Sequence, residues 1–124
     1  MSLAPIYDVC AADATVLALI PDGNADIRLY PFGEAPEGVL KPYVVWQRIG
    51  GSPENYLTGR PDVDGCSLQV DVYGDTAASV LAVSVAIRYA IELKATITGF
   101  GPQDRDPDTK TYRDSFDVDW FVYR

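Results

Sequence analysis

The 124-residue chain has no histidine, two cysteines and one methionine, and its 10 basic residues face 18 acidic ones. Each shortage removes a class of function. Without histidine there is no imidazole base, so a His-based catalytic triad is excluded. Zinc-finger spacing fails for the same reason, since Cys10 and Cys66 form no Cys-x-x-Cys pair. Those two cysteines read as buried thiols in a reducing compartment. A net charge of −8 leaves no general basic face for phosphates, so non-specific nucleic-acid binding is not expected. The same field sign suits a passage through which DNA slides without sticking. The apolar run 16–20 is too short to cross a membrane, and no basic residues precede it as in a signal peptide. The expectation is a protein made and used in a cytoplasm.

Catalytic fingerprints are missing too. The chain contains no Gly-x-Ser-x-Gly, no Gly-x-x-x-x-Gly-Lys and no Gly-x-Gly-x-x-Gly. The reading is a non-enzyme, with no catalytic residue, cofactor or metal assigned.

What is present suffices for one domain. Hydrophobic residues make up 48% and charged residues 23%, an ordinary globular balance. A chain this long buries roughly two-thirds of its unfolded surface and needs no metal or disulfide staple.

The organising stretch is 66–92. Its first half alternates: Leu68, Val70 and Val72 point one way, and Ser67, Gln69, Asp71 and Tyr73 the other, as in a half-buried strand. Gly74 ends it, and Asp75 or Thr76 offers a side-chain oxygen to cap the helix that follows. At 100° per residue this helix carries two apolar stripes. Val80, Val83, Ile87, Ala90 and Ile91 form one. Leu81, Val85 and Tyr89 form the other, with Ala78 and Ala82 beside them. A surface helix needs one such stripe, so either a single monomer core takes both or a second subunit covers Leu81, Val85 and Tyr89.

The remaining chain reads as helix over 5–20, with Asp13 either a surface residue or the cap of a second short helix at Ala14. A short strand follows at 27–30, then an irregular Pro- and Gly-rich arm over 31–42. Residues 43–49 (YVVWQRI) are apolar on both faces, with Val44 and Trp46 opposite Tyr43, Val45 and Ile49, which places this strand centrally in a sheet. Gly50 to Pro53 ends it. A long loop runs to Gly65 and carries Glu54, Asn55, Tyr56, Arg60, Asp62 and Asp64. Strands are expected at 96–100 and 112–123, the last with Phe116, Val118, Trp120 and Val122 on its core face. The order is helix, strand, strand, strand, helix, strand, strand: an α+β fold, mainly antiparallel, in which sequence neighbours pair and the helices pack on one face. Trp46 and Trp120 fall on core faces, while Tyr43, Tyr56, Tyr89 and Tyr123 lean towards interfaces.

The acidic region 104–119 allows an alternative, a metal- or small-molecule-binding domain. Asp104, Asp106 and Asp108 alternate like the start of an EF-hand loop, and Asp117 lies beyond them. Thr109 replaces the required Gly, however, and Ser115 the required Glu. Asp62 and Asp64 beside Gly65, and Asp117 with Asp119, read better as solvated carboxylates.

One resemblance spans most of the chain. It rests on Pro5-Ile6-Tyr7 with Asp13 and Leu17, then Tyr30-Pro31, Ala35-Pro36 and Pro42-Tyr43-Val44-Val45-Trp46. Gly51-Ser52-Pro53 and Val70-Asp71-Val72-Tyr73 leading to Asp75 complete it. In this order the chain resembles the phage tail-completion (tail-terminator, head–tail joining) proteins, small domains often found in prophages. The resemblance implies a structural virion protein that caps the finished tail tube as a ring, usually a hexamer, and offers a surface to the head connector. Its implied partners are copies of itself, the major tail tube protein and a head-completion or connector protein, with no membrane and no specific nucleic acid. Its place is the virion tail, after assembly in the host cytoplasm. By position, the loop 50–65, with Glu54, Asn55, Tyr56, Arg60 and Asp62, would project to the tube or ring lumen, and the arm 31–42 would touch a neighbouring subunit. No catalytic residue is implied. The few basic residues depart from an electropositive tube-binding patch.

Overall fold

A computed structural model describes residues 4–23, 25–55 and 59–123. The elements in chain order are α1 (Ile6–Ala11), α2 (Ala14–Leu19), β1 (Leu29–Pro31), β2 (Tyr43–Pro53), β3 (Val63–Gly74), α3 (Ala77–Ile91), β4 (Thr96–Phe100), β5 (Asp104–Arg105) and β6 (Tyr112–Tyr123). The fold is α+β, as expected, but its order differs in detail. The first helical segment is two short helices, and a two-residue strand interrupts the acidic turn. Asp13 causes the first difference. Its carboxylate accepts from the backbone amides of Thr15 and Val16 at 3.0 and 3.1 Å, starting α2 as a new helix.

The sheet runs β1-β2-β3-β6-β4, with β5 paired to β6 beside β4. Three pairings correct the sequence reading. β1 pairs with β2 in parallel. β3 pairs antiparallel with β6 instead of its sequence neighbour β4, while β4 pairs antiparallel with β6 as expected. β2 lies second from an edge, and the centre belongs to β3, between β2 and β6. The short β1 satisfies one side of β2 only along Val44–Trp46, which is why β2 looks central from its apolar faces yet is not. The local stop at Gly50-Gly51 does not end β2 either. Cross-strand bonding to β3 carries it on to Pro53, past a bulge between Arg48 and Gly50.

Gly51 makes that continuation possible. Its φ of 129° is poorly tolerated by side-chain-bearing residues, and a Cβ there would lie 2.1 Å from the Gly65 carbonyl oxygen. Gly51→Ala should therefore destabilise the chain by about 2 kcal/mol or more, read as a lowered urea midpoint.

The helices form one layer. α3 packs on β3 and β6, and α1 and α2 pack against α3. Its cap is Thr76, whose hydroxyl accepts from the Ser79 amide at 3.1 Å. Val80, Val83, Ile87 and Ile91 of α3 meet Leu68, Val70 and Val72 of β3 and Phe116, Val118, Trp120 and Val122 of β6 in one core, with Trp46 packed against it. Arg28, just before β1, is buried as well. Its Nε donates to the Pro42 carbonyl at 3.0 Å and its Nη1 to the Pro21 carbonyl, tying the end of the arm to the turn after α2.

Cys10 is wholly buried in this core. Burial first, and Asp13 second, push its thiol up from 9.0 to about 12. Unfolding frees the thiol to ionise from about pH 9, whereas the folded form resists until about pH 12. The stability this confers is complete below pH 9 and is lost as pH rises across the window, by about 1.4 kcal/mol per unit. Urea midpoints at pH 8.5, 9.25 and 10 should fall, and Cys10→Ala should flatten that slope. Tyr7, Tyr30 and Tyr73, which burial also raises, add to the fall in both chains only above their ordinary range.

Candidate functional site: exposed faces and edges

The second stripe of α3 is uncovered. Leu81 is 45%, Val85 55% and Tyr89 78% exposed, against zero for Ile87 on the opposite side of the same helix. Ala78 and Ala82 are exposed with them. Of the two sequence readings, the monomer core thus takes only the first stripe. The uncovered stripe continues towards β4, where the Arg88 guanidinium stands 5.0 Å over the ring of Phe100, itself exposed. Monomers seldom keep a contiguous apolar surface of this kind without a partner for it.

The β2–β3 hairpin is longer, and its tip shorter, than a loop over 50–65 would be. Strand structure runs to Pro53 and resumes at Val63. Glu54, Asn55, Arg60 and Asp62 lie exposed at the tip, whereas Tyr56 falls outside the described residues. The hairpin extends β2 well beyond its pairing with β1, and Ile49 stands exposed along it.

Among the described residues the acidic region gathers no set of metal ligands. Asp104 pairs with Arg113 at 3.1 Å. Asp106 accepts from the amides of Asp108 and Thr109 at 2.8 and 3.2 Å, closing its own turn. Asp119, on the sheet face away from the helices, accepts from Ser67 Oγ at 2.7 Å. Asp117 shares that face across from Gln69. Among the described residues no three acidic or thiol groups converge as metal ligands would. The alternation that suggested a calcium loop is a turn closing on itself.

The sequence reading missed a cleft. The arm and the β5–β6 hairpin border an open cleft of about 760 Å³ at one end of the outer sheet face, lined by Lys41, Tyr43, Tyr73, Arg113 and two of the expected acids, Asp104 and Asp106, among others. Tyr43 and Tyr73 stack with ring centroids 5.2 Å apart. Lys41 bonds Thr111 at 2.9 Å and lies 3.5 Å from Asp75, so it braces the cleft wall. Desolvation alone would lower the Arg113 guanidinium, but Asp104 and then Asp71 outweigh it and hold it above its ordinary value. Burial raises Tyr73, with Asp71 adding to the rise and Arg113 opposing it. The cleft draws on three distant segments, so no local pattern announces it.

The domain presents two prominent surfaces to solvent, the bare face of α3 and the long β2–β3 hairpin. The family model for tail completion protein gp17 matches residues 4–123, and the chain belongs to that family of phage tail structural proteins. Among solved structures, a chain from the virion of a native gene transfer agent (GTA) particle shares the fold. The TM-score is 0.67 at 19% identity, over 96% of this chain and 92% of that one. No curated protein matches.

Proposed function

We propose that the chain caps the finished tail tube as a homohexameric ring and joins it to the head connector. The observation that carries this reading is the bare stripe of α3, because Leu81, Val85 and Tyr89 give each copy an apolar face that its own fold leaves uncovered. These three residues form the subunit interface. The tip of the β2–β3 hairpin, with Glu54, Asn55, Arg60 and Asp62 exposed and Tyr56 in the same segment, reaches the tube or the ring lumen. The major tail tube protein and a head-completion protein lie on the two sides of the ring. The chain is made in the cytoplasm of a bacterial host, from a phage or prophage, and ends in the virion tail. Its charge of −8 suits a ring that DNA must cross without being held.

Light scattering with and without purified tail tubes tests the proposal. The expected mass is a multiple of 13.5 kDa, in solution or on tubes. A chain that stays monomeric and ignores tubes would overturn it.

A further inference from the structure

Among the described residues the sheet ends in two open edges on opposite sides. β1 pairs with β2 only along Val44–Trp46, so among the described strands none covers the outer side of β2 over residues 47–53. At the other end of the strand order no described strand lies outside β4. Both edges border open space. A groove of about 470 Å³ runs beside β4, with Arg88 and Glu92 of the α3 side above it. Another of about 630 Å³ follows the hairpin from Arg48 to Pro53.

Sheet edges of this kind present rows of unpaired amides and carbonyls, and folded proteins commonly protect them with proline, lysine or a covering segment. Residues 96–100 (TITGF) contain neither proline nor lysine, and β4 has a bulge between Ile97 and Gly99, whereas the β2 edge has a bulge between Arg48 and Gly50 and ends at Pro53. The flanks of the two edges offer one opposite-charge match, Glu92 with Arg48. The β4 edge carries Glu92 and the exposed Phe100, with Arg88 held over the Phe100 ring, whereas the β2 edge carries Arg48 and the exposed Ile49, with Asp64 across the hairpin. Arg48 lies opposite Leu68 and so on the helix side of the sheet, the side on which Glu92 stands. Neither charge has an ion-pair partner among the described residues.

We propose that the β4 edge of one copy pairs with the 47–53 edge of β2 in the next, making one sheet continuous from subunit to subunit. The proposal rests on the ring reading and gives it a backbone geometry. Two different patches on opposite sides of a molecule make a head-to-tail contact, which closes into a ring when its rotation permits. Pairing β4 with β4, or β2 with β2, would give a dimer and leave the remaining edges bare. Edge pairing also sets the neighbour's hairpin beside the α3 stripe, so the apolar and backbone contacts belong to one interface.

Cysteine cross-linking tests the pairing in the full chain. In a Cys66→Ser background, Thr98→Cys is combined in turn with Gln47→Cys, Arg48→Cys and Ile49→Cys, and each protein is air-oxidised on tail tubes and at high concentration. Within one copy β2 and β4 are separated by three strand spacings, about 14 Å, beyond the roughly 7 Å that a disulfide spans. Any bond between the introduced thiols is therefore between copies. The expected result is a ladder above the dimer on a non-reducing denaturing gel from at least one pair, and none from the single-cysteine chains. No ladder from any pair, while the unsubstituted chain still assembles, would overturn edge pairing and leave the ring intact. Single-cysteine chains linking only as dimers would also overturn it, by showing like edges in contact. An unsubstituted chain that never assembles would overturn both proposals.

Discussion

Ile87→Asp should leave no folded population in a urea titration at 25 °C. Ile87 has no solvent exposure and lies in the core cluster with Val83, Val70 and Phe116. Losing a buried isoleucine side chain costs about 2–5 kcal/mol. A lone carboxyl among apolar groups adds a desolvation cost of several kcal/mol, since nothing there offers it a partner. Together these approach or exceed the roughly 5–15 kcal/mol that holds a typical domain folded. The control is Ile87→Val, which should cost about 1 kcal/mol and keep a cooperative transition. Circular dichroism against urea distinguishes the two, and a folded Ile87→Asp chain would mean that this side of α3 is not core.

Two residues further along the same helix, the same substitution should act on assembly and spare the fold. Tyr89→Asp and Leu81→Asp place a carboxylate where water already reaches, so the free energy of unfolding from a urea titration should change by no more than about 0.5 kcal/mol. Assembly should suffer far more. A large side chain anchoring an interface is worth about 2 kcal/mol or more when lost, which is about 30-fold in affinity per contact. A closed ring repeats that loss at each junction. The expected species is a folded 13.5 kDa monomer that tail tubes no longer gather into a larger one. Rings that survive both substitutions would move the interface elsewhere, and unfolding of either variant would place the stripe in the core.

The contrast between these two results was legible in the sequence, because the period of a helix sorts Ile87 from Tyr89 without any knowledge of the rest of the fold. The alternation on β6 was equally legible. Phe116, Val118, Trp120 and Val122 are all buried, whereas Asp119 and Phe121 point out. What the sequence concealed was non-local. The three residues of β1 carry no period, and their parallel pairing depends on the arm bringing the chain back. Gly50-Gly51-Ser52-Pro53 is a local stop signal that the partner strand overrides. The cleft beneath the arm needs Tyr43, Tyr73 and Arg113 to meet across three strands. The exposed stripe was found, but only the fold decides that the monomer leaves it bare.

The position of β6 has a consequence for the order of events on the ribosome. β6 is the last described strand in chain order, yet it lies between β3 and β4. Among the described strands β4 and β5 pair with nothing else, and one whole side of β3 waits for it. A nascent chain that has not reached Tyr112 therefore holds β3 half-paired and has no strand at residues 96–100 to offer to anything. In the edge pairing proposed above, the β4 edge therefore becomes available to a neighbouring copy only after β6 has been added.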